Sequence, residues 1–127
     1  PPIILFITHS PYGSEWSFGA ISFALASANN HGIKVTVIFI EDGVYNLLYG
    51  EVQDADRVFN VSEVISAFDD VEGLEFYYHR QSAEMRGVDK LIESDKVLPL
   101  DAEGFRGKFL ESSNGEWVHQ HQRIYFF

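Results

Sequence analysis

The densest chemical potential of this chain lies in His79, Ser82, Arg86 and Gly87. They follow the apolar, aromatic run 74–78, and together the two stretches read as a strand end, a turn and a short helix at 81–85 closed by Gly87. In open α/β sheets, ligand chemistry sits at such carboxyl ends of strands. Imidazole titrates near neutrality, so His79 can be a proton donor or hydrogen-bond group, or simply a polar side chain filling a pocket. Ser82 and Arg86 are four residues apart and share a face if the segment is helical. Arg86 can bind an anion beside the helix start, or pair with one of the 19 acidic residues.

A second polar pair, Asp42-Gly43, closes the apolar run 33–40. It can orient a ligand, or be a turn in which glycine takes an unusual backbone angle. Tyr45, Leu47 and Leu48 follow as a short apolar helix or turn, a candidate subunit contact or a piece of core. Other chemistry has weak support. His9, Ser10 and Ser14 lack the G-x-S-x-G elbow of a hydrolase. His119 and His121 would share a strand face, but no carboxylate has a convincing spacing for a third ligand, so no metal is expected. No Walker A loop and no G-x-G-x-x-G is present, and no cofactor is expected.

The elements that must position these residues alternate strand and helix. Residues 3–7 are continuously apolar, as in a strand covered on both faces. Ser14 is a plausible N-cap, and Trp16, Ala20, Ile21, Ala24, Leu25 and Ala28 recur at helical spacing before the stop at residues 30–32. Residues 33–40 give a second strand. Val58, Val61, Ile65 and Phe68 mark a second long helix, and 74–78 a third strand. Residues 96–100 form a weak fourth strand, which Pro99 confines to an edge or an end. Asp101 caps a last helix with Ala102, Phe105, Phe109 and Leu110, and one or both of the apolar stretches Trp117-Val118 and 124–127 supply the last strand. The pattern predicts one α/β domain over residues 1–127: three layers, a mostly parallel five-stranded sheet, and helices on both faces.

Bulk properties narrow the function. With 19 acidic and 9 basic residues the net charge is −10, which opposes direct binding to nucleic acid or to an anionic membrane. With no cysteine, disulfides, thiolate zinc sites and a cysteine nucleophile are excluded from this chain. Residues 3–7 are too few to span a bilayer and lack the flanks of a signal peptide, so a soluble cytoplasmic protein is expected.

Several of these stretches resemble the DsrE/DsrF/TusC sulfur-relay family. His79-x-x-Ser82-x-x-x-Arg86-Gly87 matches its Cys-x-x-Ser/Ala-x-x-x-Arg-Gly pattern, with His79 at the cysteine position. Ser10-Pro11-Tyr12-Gly13-Ser14 is similar to the family's Pro-x-Gly-Ser/Thr loop, which brings Tyr12 among the ligand or interface candidates. Residues 39–48 resemble the Asp-Gly-Val-aromatic-x-Leu-Leu segment of the TusC/DsrF branch, and residues 98–102 its last helix start. Residues 112–123 look longer than the family's usual link. The resemblance implies a subunit without catalysis of its own, in a heterohexamer with TusB/TusD-like or DsrE/DsrH-like homologues. Such assemblies pass persulfide sulfur toward tRNA wobble-uridine 2-thiolation or sulfur oxidation, with a downstream sulfur acceptor beyond them. His79 can then hold or orient a neighbour's thiolate but cannot itself carry sulfur, since persulfide exchange needs a thiolate. An aromatic content of 15% is compatible with buried interfaces. The alternative is a stand-alone DsrE-like homo-oligomer that binds a small anion near His79 and Arg86, with weak hydrolytic activity.

Overall fold

A computed structural model describes residues 3–9, 16–48, 65, 71–92, 96–109 and 123–127. Five strands form one sheet: β1 (Ile3–Ile7), β2 (Val35–Phe39), β3 (Leu74–His79), β4 (Leu98–Leu100) and β5 (Arg123–Phe126), in the order β4-β3-β2-β1-β5. All four pairings are parallel. β1 and β2 are buried along their whole length, which accounts for the unbroken apolar run of β1 and for a β2 that is apolar but for the buried Thr36.

The sheet's two faces are covered differently. On one, Leu5, Val37, Phe39 and Phe76 pack against Ala20, Ile21, Ala24 and Ala28 of α1 (Trp16–His31). The alanines bring that helix close to the sheet. Ile65, the described residue of the expected second long helix, is helical and joins this core; its expected partners Val58, Val61 and Phe68 lie outside the described residues. On the other face, Ile4, Phe6, Ile38, Tyr77 and Leu100 pack with Phe105 of α3 (Ala102–Phe109). Leu98, Ile124 and Phe126 share this second face by register and are largely exposed, although Phe126 stacks on Phe6 at 5.1 Å.

The second and fourth strands are shorter than their apolar runs suggest. Pro99 lies in β4, at the sheet's edge, where a missing N–H does least harm. Asp101 caps α3 as expected, its Oδ1 accepting the Gly104 N–H at 2.7 Å. Residues 117–118 lie outside the described residues.

Candidate functional site

The site is built where β2 and β3 end side by side, Phe39 opposite Tyr78. A 3-10 helix, Glu41–Leu47, leaves β2, and the short helix α2, Arg80–Met85, leaves β3. His79 is the last residue of β3 and the N-cap of α2. Its backbone is extended, and its Nδ1 accepts the Ser82 N–H at 3.2 Å. Nδ1 also lies 2.7 Å from Ser82 Oγ. That same oxygen accepts the Glu41 N–H at 2.9 Å, so one hydroxyl ties the turn after β2 to the cap of α2. Ser82 is only 4% exposed, which makes it a connector rather than an accessible nucleophile.

Burial of the half-exposed His79 ring lowers its pKa from the usual imidazole value, partly opposed by the Glu41 carboxylate. Phe105 meets the ring edge-on, with centroids 6.4 Å apart. Burial thus favours the neutral form of the imidazole.

Arg86 completes the clasp from the far end of α2. Its Nε donates to Asp42 Oδ1 at 3.0 Å and its Nη1 to the Ser82 carbonyl at 3.2 Å. The guanidinium thus joins the two loops, and of the two roles open to Arg86 the structure displays the ion pair.

Gly43 departs from the expected turn chemistry. Its φ is not positive; the residue at positive φ is Glu41, at 54°. Glycine is required at 43 because a Cβ there would lie 1.7 Å from the Ile7 carbonyl oxygen. The 3-10 helix is pressed onto the end of β1. Val44, Leu47 and Leu48 are buried in the core and Tyr45 packs half-buried against it, so this segment is core rather than free surface.

Two residues that pattern reasoning missed belong to the same edge. Glu41 carries the strained backbone. Asn46, 2% exposed, donates from Nδ2 to the carbonyls of His9 and Gly43, both at 2.9 Å, while its Oδ1 has no partner among the described residues. A lone amide inside the apolar run 44–48 was the available signal. His9 is exposed at the end of β1, with Nδ1 3.2 Å from Thr8 Oγ1. Tyr12, Ser10, Ser14, His119 and His121 lie outside the described residues. Among the described residues, no group of three or more His, Asp or Glu side chains could hold a metal ion.

A parallel five-stranded sheet with helices packed on it defines the class of fold. The crystal structure of the YchN protein from E. coli shares it, with a TM-score of 0.75 over 99% of this chain and 98% of that one, at 16% identity. The chain belongs to the DsrE/DsrF-like family, whose model matches residues 2–113. It is similar to the intracellular sulfur oxidation protein DsrF of Allochromatium vinosum, 33% identical over 86 residues. That match spans 66% of this chain and 62% of the relative.

Proposed function

We propose that this chain is a cysteine-less, non-catalytic subunit of a cytoplasmic sulfur-relay assembly. Its partners are homologous subunits of the DsrE/DsrH or TusB/TusD type, in a heterohexamer, and one of them bears the sulfur-carrying cysteine. The observation that carries this reading is His79. It stands where the family pattern places a thiol, and its Nδ1 takes up the cap donors of Ser82 that a thiolate would otherwise accept. The architecture of a sulfur site is kept while its nucleophile is gone, and no other cysteine exists in the chain to replace it.

Two further observations support the reading. The DsrF relative favours sulfur oxidation over tRNA 2-thiolation as the pathway. Leu98, Ile124 and Phe126, 54%, 46% and 67% exposed on one sheet face, are the kind of surface that an assembled subunit covers. The rival, a stand-alone anion binder, needs a free guanidinium, and Arg86 is already engaged with Asp42. Among the described residues, no helix is long and apolar enough to cross a membrane.

The test is purification of the tagged chain from its native cell, with native mass measurement. Two homologous partners, at least one with a cysteine at the matching position, are expected. A lone homo-oligomer, or a stable sulfur adduct formed on the isolated chain by a persulfide donor, would remove the reading.

A further inference from the structure

The fold uses one nitrogen of His79 and leaves the other. The Ser82 amide can only donate, so Nδ1, 3.2 Å away, presents a lone pair. Ser82 Oγ already accepts the Glu41 N–H, and turns its own proton onto Nδ1 at 2.7 Å. A neutral ring held this way carries its hydrogen on Nε2. The chain supplies no hydrogen-bond partner for Nε2 among the described residues. The result is a fixed, uncharged N–H donor on a half-exposed ring at the carboxyl edge of the sheet, where ligands meet such folds.

The surroundings select the acceptor. The Glu41 carboxylate is close enough to act on the ring electrostatically, and the whole chain carries a charge of −10. This field repels a dianion such as phosphate about twice as strongly as a monoanion. A sulfur anion, weakly hydrated and with diffuse charge, suits a single neutral donor on a partly desolvated ring.

We propose that His79 Nε2–H donates a hydrogen bond to the sulfur of a partner subunit's cysteine, as thiolate or persulfide, and so stabilises the anion that accepts or delivers sulfur. The inference rests on the sulfur-relay function proposed above. His79 is here a positioning residue: no bond to it forms or breaks. Because a donor favours the charged form of its acceptor, the partner's thiol should titrate lower when this chain is docked.

The experiment uses the complex of this chain with its cysteine-bearing homologue. The rate at which iodoacetamide alkylates that cysteine is followed against pH, with wild type and with His79→Asn. Asparagine is among the best N-caps, so the variant keeps α2 capped, while its amide N–H stops short of the position that Nε2 reaches. The midpoint is expected to rise by about one pH unit in the variant, roughly a tenfold loss of thiolate near neutrality. Ser82→Ala, which removes the hydroxyl donor but leaves the backbone N–H on Nδ1, loosens the hold on the tautomer and should shift it in the same direction by less.

Equal midpoints in intact wild-type and His79→Asn complexes would overturn the proposal and leave the relay reading standing. So would imidazole ¹⁵N spectra of the free chain showing the His79 proton on Nδ1. Failure to form a complex with any cysteine-bearing homologue would overturn both.

Discussion

The segments leaving β2 and β3 occupy equivalent places, the carboxyl ends of neighbouring parallel strands, yet they are built on opposite terms. After β2, the 3-10 helix Glu41–Leu47 turns inward: Gly43, Val44, Asn46 and Leu47 are all buried. After β3, α2 buries only Ser82 and Ala83 and leaves Gln81, Glu84 and Met85 exposed. The first segment is shaped by crowding against β1, the second by the hydrogen bonds of its cap. One serves as the wall against which the other is held. Proximity to a strand end therefore does not by itself mark a functional group; what separates the two is whether donors and acceptors are consumed inside the fold or offered outside it.

The two glycines give the sharpest way to break this comparison. Gly43→Ala puts a methyl group into the Ile7 carbonyl, backbone that cannot rotate away. A loss of about 3 kcal/mol or more is expected by chemical denaturation, at the upper end for overpacking. Gly87, at φ 68° with open space around its Cα, should lose only about 1 kcal/mol on the same substitution, the ordinary cost of a left-handed alanine. Equal losses would mean that the segment after β2 yields as easily as the segment after β3.

Most of the fold was legible because it rests on local pattern. The apolar run at 3–7 read as a buried parallel strand and 33–40 as the strand that follows the first helix, and Asp101 read as a helix cap. His79, Ser82 and Arg86 were legible as a group because they lie within one short polar segment. What was not legible depends on strand register. Nothing local says that Asp42 meets Arg86, or that the Glu41 N–H finds Ser82 Oγ; both follow from β2 lying beside β3 with Phe39 opposite Tyr78. Nor can a sequence distinguish a glycine kept for its backbone angle from one kept for lack of a side chain. Turn chemistry suggested the first at Gly43, and the end of β1 imposes the second.

Asn46 provides the next test. Its Nδ2 binds the His9 and Gly43 carbonyls and so ties the inward segment to the end of β1. Asn46→Ala is expected to cost about 1–3 kcal/mol, because both bonds are lost where water has little access. A neutral effect would show that the two carbonyls find other partners and that packing alone holds the segment.

A smaller effect separates the segments by pH. The folded pKa of His79 lies below its unfolded value, so the unfolded chain takes up the proton more readily. The stability linked to this ring is fully present above the unfolded pKa, about 6.5. It falls as pH drops from there toward the folded pKa and changes no further below it. The difference in stability between wild type and His79→Asn should therefore shift in favour of the variant as pH is lowered through this window, measured by urea denaturation at fixed ionic strength. A difference independent of pH would mean that the ring is not held neutral.

The smallest effect belongs to the one ion pair that crosses between the segments. Asp42 is 61% exposed and Arg86 24%, so water and salt screen the pair despite its 3.0 Å contact. Asp42→Asn is expected to cost only about 0.2–1 kcal/mol, and less at high salt. Arg86→Gln should cost somewhat more, since it also removes the bond to the Ser82 carbonyl. That inequality matters more than either value. If the two substitutions prove equal and vanish together in high salt, the arginine serves only as a countercharge to Asp42. If Arg86→Gln keeps an excess that salt does not remove, the guanidinium holds α2 directly. The clasp then depends on hydrogen bonding to Ser82, the residue that also fixes His79, more than on charge.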